Sequence, residues 1–282
     1  MFHMELFSSS IATGANTFAQ VTYFTPDNVL QKLVNGMQVS TSLPYLLSVF
    51  GVGAHMVDVR AQAPSMLPFP YINLNPNNRG AAFESPPRVW DFAESPIPLK
   101  PTEEFDIFAT QNAGSAETQY VGCLFSDGQT SPLTVPLNPP GVILNGLTPG
   151  RLFTAHSSTS VTVTAGAWSQ VALSLDQTLP AGLYALIGAR AYSASGLFFR
   201  MFPQNTPLWR PGGIAVQAYD AIDPPNQRAL RWTGSHLSKW GLWLTFYQNT
   251  VPQVEMFCTS ADTAQEVWLD LVYLGPQTSQ GL

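Results

Sequence analysis

"EFDIFATQNAGSAETQYVGCLF", residues 104–125, returns near the other end of the chain as "VEMFCTSADTAQEVWLDLVYL", residues 254–274. Aligned from Phe105 and Val254, the two stretches share one pattern: apolar, acidic, apolar, Phe, small, Thr. Phe105-Asp106-Ile107-Phe108-Ala109-Thr110 stands against Val254-Glu255-Met256-Phe257-Cys258-Thr259. Successive side chains of a strand point to opposite faces. Phe105, Ile107 and Ala109 therefore share a face, and Val254, Met256 and Cys258 take the same places in the second copy. A polar turn follows in each, after which Ala116 matches Ala264 and Tyr120 matches Trp268. The offset is 149 residues from Phe105 to Val254 and 148 from Ala116 to Ala264, close to half of the 282-residue chain.

Self-similarity at a fixed offset is read as duplication. Each copy is expected to be a hairpin that closes its half of the chain. The first is followed by the Pro-rich connector "SPLTVPLNPPG" (131–141), and the second ends close to residue 282. Two β domains are expected, 1–145 and 146–282.

Working outward, most of the chain reads as short strands. "NTFAQVTYF" (16–24), "YLLSVFGVGAHMVDVRAQ" (45–62), "PYINLN" (70–75), "GLYALIGARAY" (182–192), "GLFFRMF" (196–202) and "WGLWLTFY" (240–247) alternate or run apolar between Gly and Pro punctuation. "TSVTVTAGAWSQVALSL" (159–175) reads as a hairpin turning at Ala-Gly-Ala. One segment carries helix signals, "TPDNVLQKLVNG" (25–36): Asp27 or Asn28 as cap, an apolar set of Val29, Leu30, Leu33 and Val34, and Asn35-Gly36 as the stop. The expected class is all-β, two tandem sandwiches with a few short helices.

Composition narrows the function classes. Charged residues are 11% of the chain, against roughly 25% in an ordinary soluble domain, while apolar residues reach 45% and aromatics 12%. A surface largely covered by neighbours, or a glycan-binding β protein, has this character. The net charge is −6, and the lysines are Lys32, Lys100 and Lys239. Arg228 and Arg231 come nearest to a basic cluster and sit among apolar residues, so direct tight nucleic-acid binding is not expected. Cys123 and Cys258 are no disulfide framework and are expected as free buried thiols. The first residues lack the pattern of a signal peptide and no apolar run approaches the ~20 residues of a membrane span, so a soluble protein made in a reducing cytoplasm is expected.

No catalytic constellation emerges. His3, His55, His156 and His236 are isolated, and His55 and Asp58 fall on opposite faces of a strand. Glu103-Glu104 reads as a solvated strand entry rather than a catalytic carboxylate pair, which must face across a cleft. Asp220, Asp223 and Asn226 in "YDAIDPPNQ" are oxygen ligands of a kind that holds Ca²⁺, but Asp and Asn beside Pro is also ordinary turn chemistry. Trp209, Trp232, Trp240 and Trp243 are either a sugar-stacking set or core and contact residues. No catalytic, cofactor-binding or metal-binding residue is assigned, no cofactor is expected, and an enzyme is the least favoured class.

Two β domains of similar length with matching closing strands resemble the double jelly-roll major capsid proteins of tailless icosahedral viruses, including the internal-membrane-containing bacteriophages. The likeness is architectural and spans the whole chain. It implies a structural virion protein without catalytic residues, assembled in the host cytoplasm. It also implies homotrimers of pseudo-hexagonal outline that tile an icosahedral shell, with other virion proteins and an internal membrane as further partners. The competing readings are a glycan-binding β-sandwich of a viral spike or secreted lectin, and a single jelly-roll capsid protein of picorna-like type.

Overall fold

The computed structural model describes residues 2–12, 17–24, 30–53, 55–74, 77–78, 90–92, 95–128, 152–159, 162–202, 210, 212–214 and 244–276. The chain divides into two compact units, Met1–Gln129 and Thr130–Leu282. The expected boundary at 145/146 lies outside the described residues.

The first unit contains β1 (Phe2–Ile11), β2 (Ala19–Val21), β3 (Tyr23–Phe24), β4 (Met37–Gln38), β5 (Tyr45–Gly53), β6 (Met56–Gln62), β7 (Tyr71–Leu74), β8 (Asn77–Asn78), β9 (Trp90–Asp91), β10 (Ile97–Pro98), β11 (Glu104–Gln111) and β12 (Glu117–Ser126). They form sheet I, in the order β10-β5-β12-β1-β3 with β8 and β9 also on β5, and sheet II, in the order β2-β11-β6-β7 with β4 on β11. The second unit contains β13 (Leu152–Thr159), β14 (Trp168–Val171), β15 (Leu183–Ser193), β16 (Gly196–Phe202), β17 (Gly212–Ile214), β18 (Leu244–Tyr247), β19 (Gln253–Cys258) and β20 (Gln265–Gly275). They form sheet III, β13-β20-β15-β18, and sheet IV, β14-β19-β16-β17. The protein is all-β, and no helix occurs among the described residues.

The two units follow one connection plan. β1, β5 and β12 pair in sheet I as β13, β15 and β20 pair in sheet III. β2, β6, β7 and β11 pair in sheet II as β14, β16, β17 and β19 pair in sheet IV. Even the corners agree: the Asn112 amide donates to the His55 carbonyl at 3.0 Å, and the Thr259 amide donates to the Ser195 carbonyl at 2.9 Å. The repeated stretch found in the sequence thus occupies the same place twice. Ile107 and Met256 both sit on the second strand of their sheet order, next to the edge strand β2 or β14, with their side chains fully buried.

The core of the first unit draws from both sheets. Phe7, Val121, Cys123 and Phe125 of sheet I pack with Val21, Val59, Phe105 and Ile107 of sheet II. The Phe105 ring meets Phe125 edge-on at 5.4 Å and Phe7 at 5.9 Å. Each such side chain contributes about 1.5–3 kcal/mol by leaving water. In the second unit Ala155, Leu269, Leu271 and Tyr273 of sheet III are buried, as are Val171, Phe199, Val254 and Met256 of sheet IV.

Three expectations are corrected. The repeated stretch is not a hairpin: β11 lies in sheet II and β12 in sheet I, as β19 lies in sheet IV and β20 in sheet III. Both strands carry a buried face, and the polar connection between them turns the chain from one sheet to the other. Residues 159–175 do not form a hairpin either, because β14 pairs with β19 and Val163 bridges to Asp262. The helix over 25–36 is absent from its described part. Lys32 bridges Met37, the Leu33 amide donates to the Gly36 carbonyl, and Val34 is 87% exposed. Gly36 lies so close to β11 that a Cβ there would stand 2.8 Å from the Phe105 carbonyl oxygen. Pairing to β11 outcompetes a helix that is marginal at this length.

Candidate functional site

Each histidine on the described strands and corners faces a carboxylate. On β1, His3 Nε2 lies 2.5 Å from Glu5 Oε1, and the Tyr23 hydroxyl donates to Glu5 Oε2 at 2.7 Å. This cluster is fully buried. His55, at the corner between β5 and β6, reaches Glu117 Oε1 at 2.7 Å rather than Asp58. His156 on β13 has Nδ1 2.5 Å from Asp176 Oδ2 and Nε2 3.4 Å from Glu266 Oε2, and its ring stacks on Trp268 at 5.0 Å. His236 lies outside the described residues.

Among the described residues, none of these pairs hydrogen-bonds a cysteine or a serine hydroxyl. Cys123 and Cys258 are both free and buried. Burial pushes the Cys123 thiol well above its ordinary value, and the Glu5 charge adds to this. Burial also pushes the Cys258 thiol up, with hydrogen bonding to Ser193 and Ser195 opposing it. A thiol held in its neutral form is a poor nucleophile. The Ser193 hydroxyl donates to Asp262, with the Ala194 amide 2.8 Å from the same oxygen. That carboxylate fastens the corner between β15 and β16. Glu103 accepts from the Ser65 and Lys100 amides at 3.0 and 2.8 Å, fastening another turn, while Glu104 begins β11. Among the described residues no group of three His, Cys, Asp or Glu side chains is placed to hold a metal ion, and no helix is long and apolar enough to cross a membrane. Asp220, Asp223, Asn226, Trp209, Trp232, Trp240 and Trp243 lie outside the described residues.

The outward faces of the four sheets differ in how far they are buried. On sheet I the outward side chains Met4, Leu6, Phe50, Val52 and Leu124 are all buried. On sheet IV the outward set is Phe198, Arg200, Glu255 and Phe257. Arg200 is 1% exposed, its Nε is 2.6 Å from Glu255 Oε2, and its guanidinium lies 4.2 Å from the Trp168 ring centre. Arg210 adds a second guanidinium 3.5 Å from the same carboxylate oxygen.

The outward face of sheet II is open, and that of sheet III is mixed, with Ala185, Val272 and Asp270 buried beside exposed neighbours. On sheet II, Phe18, Arg60, Asp106 and Phe108 are half-buried and Tyr71 and Asn73 are exposed. The Arg60 guanidinium lies between the Phe18 and Tyr71 rings, 3.8 and 4.4 Å from their centres, and its Nε donates to Asn73 Oδ1 at 2.9 Å. Asp106 accepts from Gln20 Nε2 at 2.8 Å. Burial and the neighbouring Glu104 charge hold its carboxyl above the ordinary value, with the Gln20 bond opposing them. Beyond β6, Leu67 and Phe69 are exposed. On sheet III, Thr154, Ser158 and Thr245 are exposed, while the side chains of His156 and Glu266 are 29% and 31% exposed.

The open arginine–aromatic face escaped the sequence reading, yet a signal for it was present. In the repeated hexapeptide, Phe108 and Phe257 fall on the parity of the acidic residues, not of the core, so each copy carries an outward aromatic beside an outward carboxylate.

No family model and no curated protein sequence matches the chain. Among solved structures, the PBSX exported protein XepA aligns at 7% identity and a TM-score of 0.28, over 95% of this chain and 86% of that one. The major capsid protein P2 of bacteriophage PM2 aligns at 9% identity and a TM-score of 0.22, over 98% of this chain and all of that one.

Proposed function

We propose that this chain is a structural virion protein, a double jelly-roll major capsid protein whose trimers, pseudo-hexagonal in outline, tile an icosahedral shell. The observation that carries this reading is the doubled connection plan: one chain holds two sandwiches with the same strand order, corner for corner. A jelly roll is an eight-stranded double sheet. Here β1, β2, β5, β6, β7, β10, β11 and β12 supply eight positions in the first unit, and β13 to β20 supply the same eight in the second. The single-sandwich capsid alternative calls for one pair of sheets, whereas the described strands make two pairs.

The remaining support is chemical. A shell subunit covers several flanks at once, which favours few charges and many aromatics. The chain carries 11% charged residues and 12% aromatics. At a net charge of −6 it supplies little of the phosphate neutralisation that nucleic-acid binding demands. Other virion proteins or an internal membrane are the proposed neighbours on the genome side, and the proposed role is not catalytic.

The test is the mass of the purified full-length protein by light scattering, with negative-stain microscopy of the same sample. Stable trimers or megadalton shells are expected. A lone monomer at every concentration, above all one that binds sugars on a glycan array, would overturn the reading.

A further inference from the structure

β1 and β13 hold the same place in the two units, but their sequences specify that place differently. On β13 the inward side chains are Phe153 and Ala155, opposite Leu271 and Leu269, and the Phe153 ring meets Tyr184 edge-on at 6.0 Å. Their neighbours Thr154 and Ser158 are exposed. A slip of one residue turns every side chain to the other face, so on β13 it would turn Phe153 out and Thr154 in. Alternation alone fixes that register. On β1 it does not. Met4 and Leu6 point outward and are buried, while His3 and Glu5 point inward beside Phe7, opposite Phe125, Cys123 and Val121. A slip that sets Met4 in the place of Glu5 and Leu6 in that of Phe7 would give the core two apolar side chains for one. We propose that the hydrogen-bonded cluster of His3, Glu5 and Tyr23 is a register lock, which holds β1 in an alignment that its apolar pattern does not choose.

The lock spans β1 and β3 and is referred to β12. Glu5 Oε1 lies 2.5 Å from His3 Nε2, and Glu5 Oε2 accepts from the Tyr23 hydroxyl at 2.7 Å. Tyr23 pairs with Phe7, and Phe7 in turn pairs with Val121. This alignment turns the carboxylate toward that hydroxyl. A slip of one residue carries Glu5 to the outward face, among Leu124, Phe50 and Val52, all buried and apolar. An unpaired carboxylate there is costly.

As a source of stability the cluster is poor. His3 Nδ1 is buried without a partner among the described residues. Burial and the Glu5 charge push the neighbouring Cys123 thiol well above its ordinary value, so it stays neutral. From the facing sheet Phe105 and Met37 turn inward, whereas Glu104 and Asp106 alternate to the other face. Apolar replacement of a buried ion pair is often neutral or stabilising, and a unique alignment is the best-attested use of keeping one. The second unit builds the same strand place with Phe153, opposite Leu271, where the first has Glu5, opposite Cys123.

Cys123 makes the register measurable. A disulfide needs Cα atoms about 4.4–6.8 Å apart and side chains on one face. In the observed alignment Glu5 faces Cys123 and Met4 faces away. After the slip, position 4 stands opposite Cys123. The full chain carrying Met4→Cys is refolded and oxidised, and the link between positions 4 and 123 is quantified by peptide mass spectrometry. With the cluster intact, less than about a tenth of the chains should be linked. Adding His3→Leu and Glu5→Leu should raise the linked fraction at least about threefold, without lowering the melting temperature. Circular dichroism establishes that each variant is folded. If the combined variant is not, Tyr23→Phe replaces the two leucines. It removes one donor to Glu5 and should raise the linked fraction about twofold.

A cluster that serves stability alone would lower the melting temperature of the leucine variant and leave position 4 unlinked, and that result overturns the lock. A link already abundant with the cluster intact overturns it equally.

Discussion

Asp106 and Glu255 hold the same place in the two copies of the repeated stretch, yet they live in different surroundings. Glu255 lies in a closed face, bound by Arg200 at 2.6 Å and approached by Arg210 at 3.5 Å. Asp106 lies in an open face and accepts a neutral amide from Gln20 at 2.8 Å. The strand, its parity and the inward neighbours are alike. The difference is one of burial: Arg200 beside Glu255 is 1% exposed, whereas Arg60 and Asp106 are half-buried. A buried guanidinium is tolerable only with a paired carboxylate, whereas a half-exposed carboxylate needs no more than one good donor. The shared connection plan therefore sets the fold, and the outward positions set what each unit presents.

The largest effects should come from the positions at which the two copies agree. Ile107→Asp and Met256→Asp each place an unpaired carboxyl in a fully buried site, and each should cost more than about 4 kcal/mol. Denaturant titrations of the two variants should show losses of similar size. A severe loss for one with near-neutral behaviour of the other would break the equivalence of the units.

Next in size is the pair at which the copies differ. Glu255→Ala strands Arg200 in a closed face and should cost roughly 3–5 kcal/mol. Asp106→Asn keeps an acceptor for Gln20 and should change stability by less than about 0.5 kcal/mol, in the stabilising direction. The sign follows from its raised folded value: the charged form is disfavoured in the native state, so stability falls as pH rises through that value, and the amide removes the loss at neutral pH. Equal destabilisation by the two changes would remove the distinction between closed and open faces.

Asp262 has the opposite sign. Burial raises its carboxyl, but hydrogen bonds from the Ser193 hydroxyl and the Ala264, Ala194 and Thr263 amides outweigh that and leave it below the ordinary value of 3.8. Its contribution is present above the unfolded value and is lost as pH falls through the lower folded value. Asp262→Ala should cost on the order of 2 kcal/mol at pH 7, and the gap to wild type should shrink as the pH falls below 3.8. A gap independent of pH would remove the charged corner.

The smallest effect is expected at Gly114, in the matching corner of the first unit. A Cβ there meets nothing within 4 Å, so Gly114→Ala should lie within about 0.5 kcal/mol of wild type in a thermal melt. A larger loss would show that this corner, too, is tightly built.

Much of the fold was legible because alternation survives in strands with one buried face. Residues 45–62, 182–192 and 196–202 read as strands from their patterning and cover β5, β6, β16 and all of β15 but its last residue. β1 was not read as a strand, since "FHMELFSSSI" puts His3 and Glu5 among Met4, Leu6 and Phe7 and all five are buried. A polar pair that satisfies itself indoors looks like a surface segment when neither partner is visible. The crossing between sheets was hidden for a different reason. A short polar connection serves a hairpin and a sheet-to-sheet corner equally well, and pairing partners such as β12 with β1 are distant in sequence. The outward arginine clamp was out of reach because Phe18, Arg60 and Tyr71 come from separated strands or their flanks, and no local period links them.

Electron cryo-microscopy of the assembled particle tests the proposed architecture most directly. Three chains should appear as a ring of six similar sandwich lobes, alternating first and second units. A ring with one lobe per chain would contradict it.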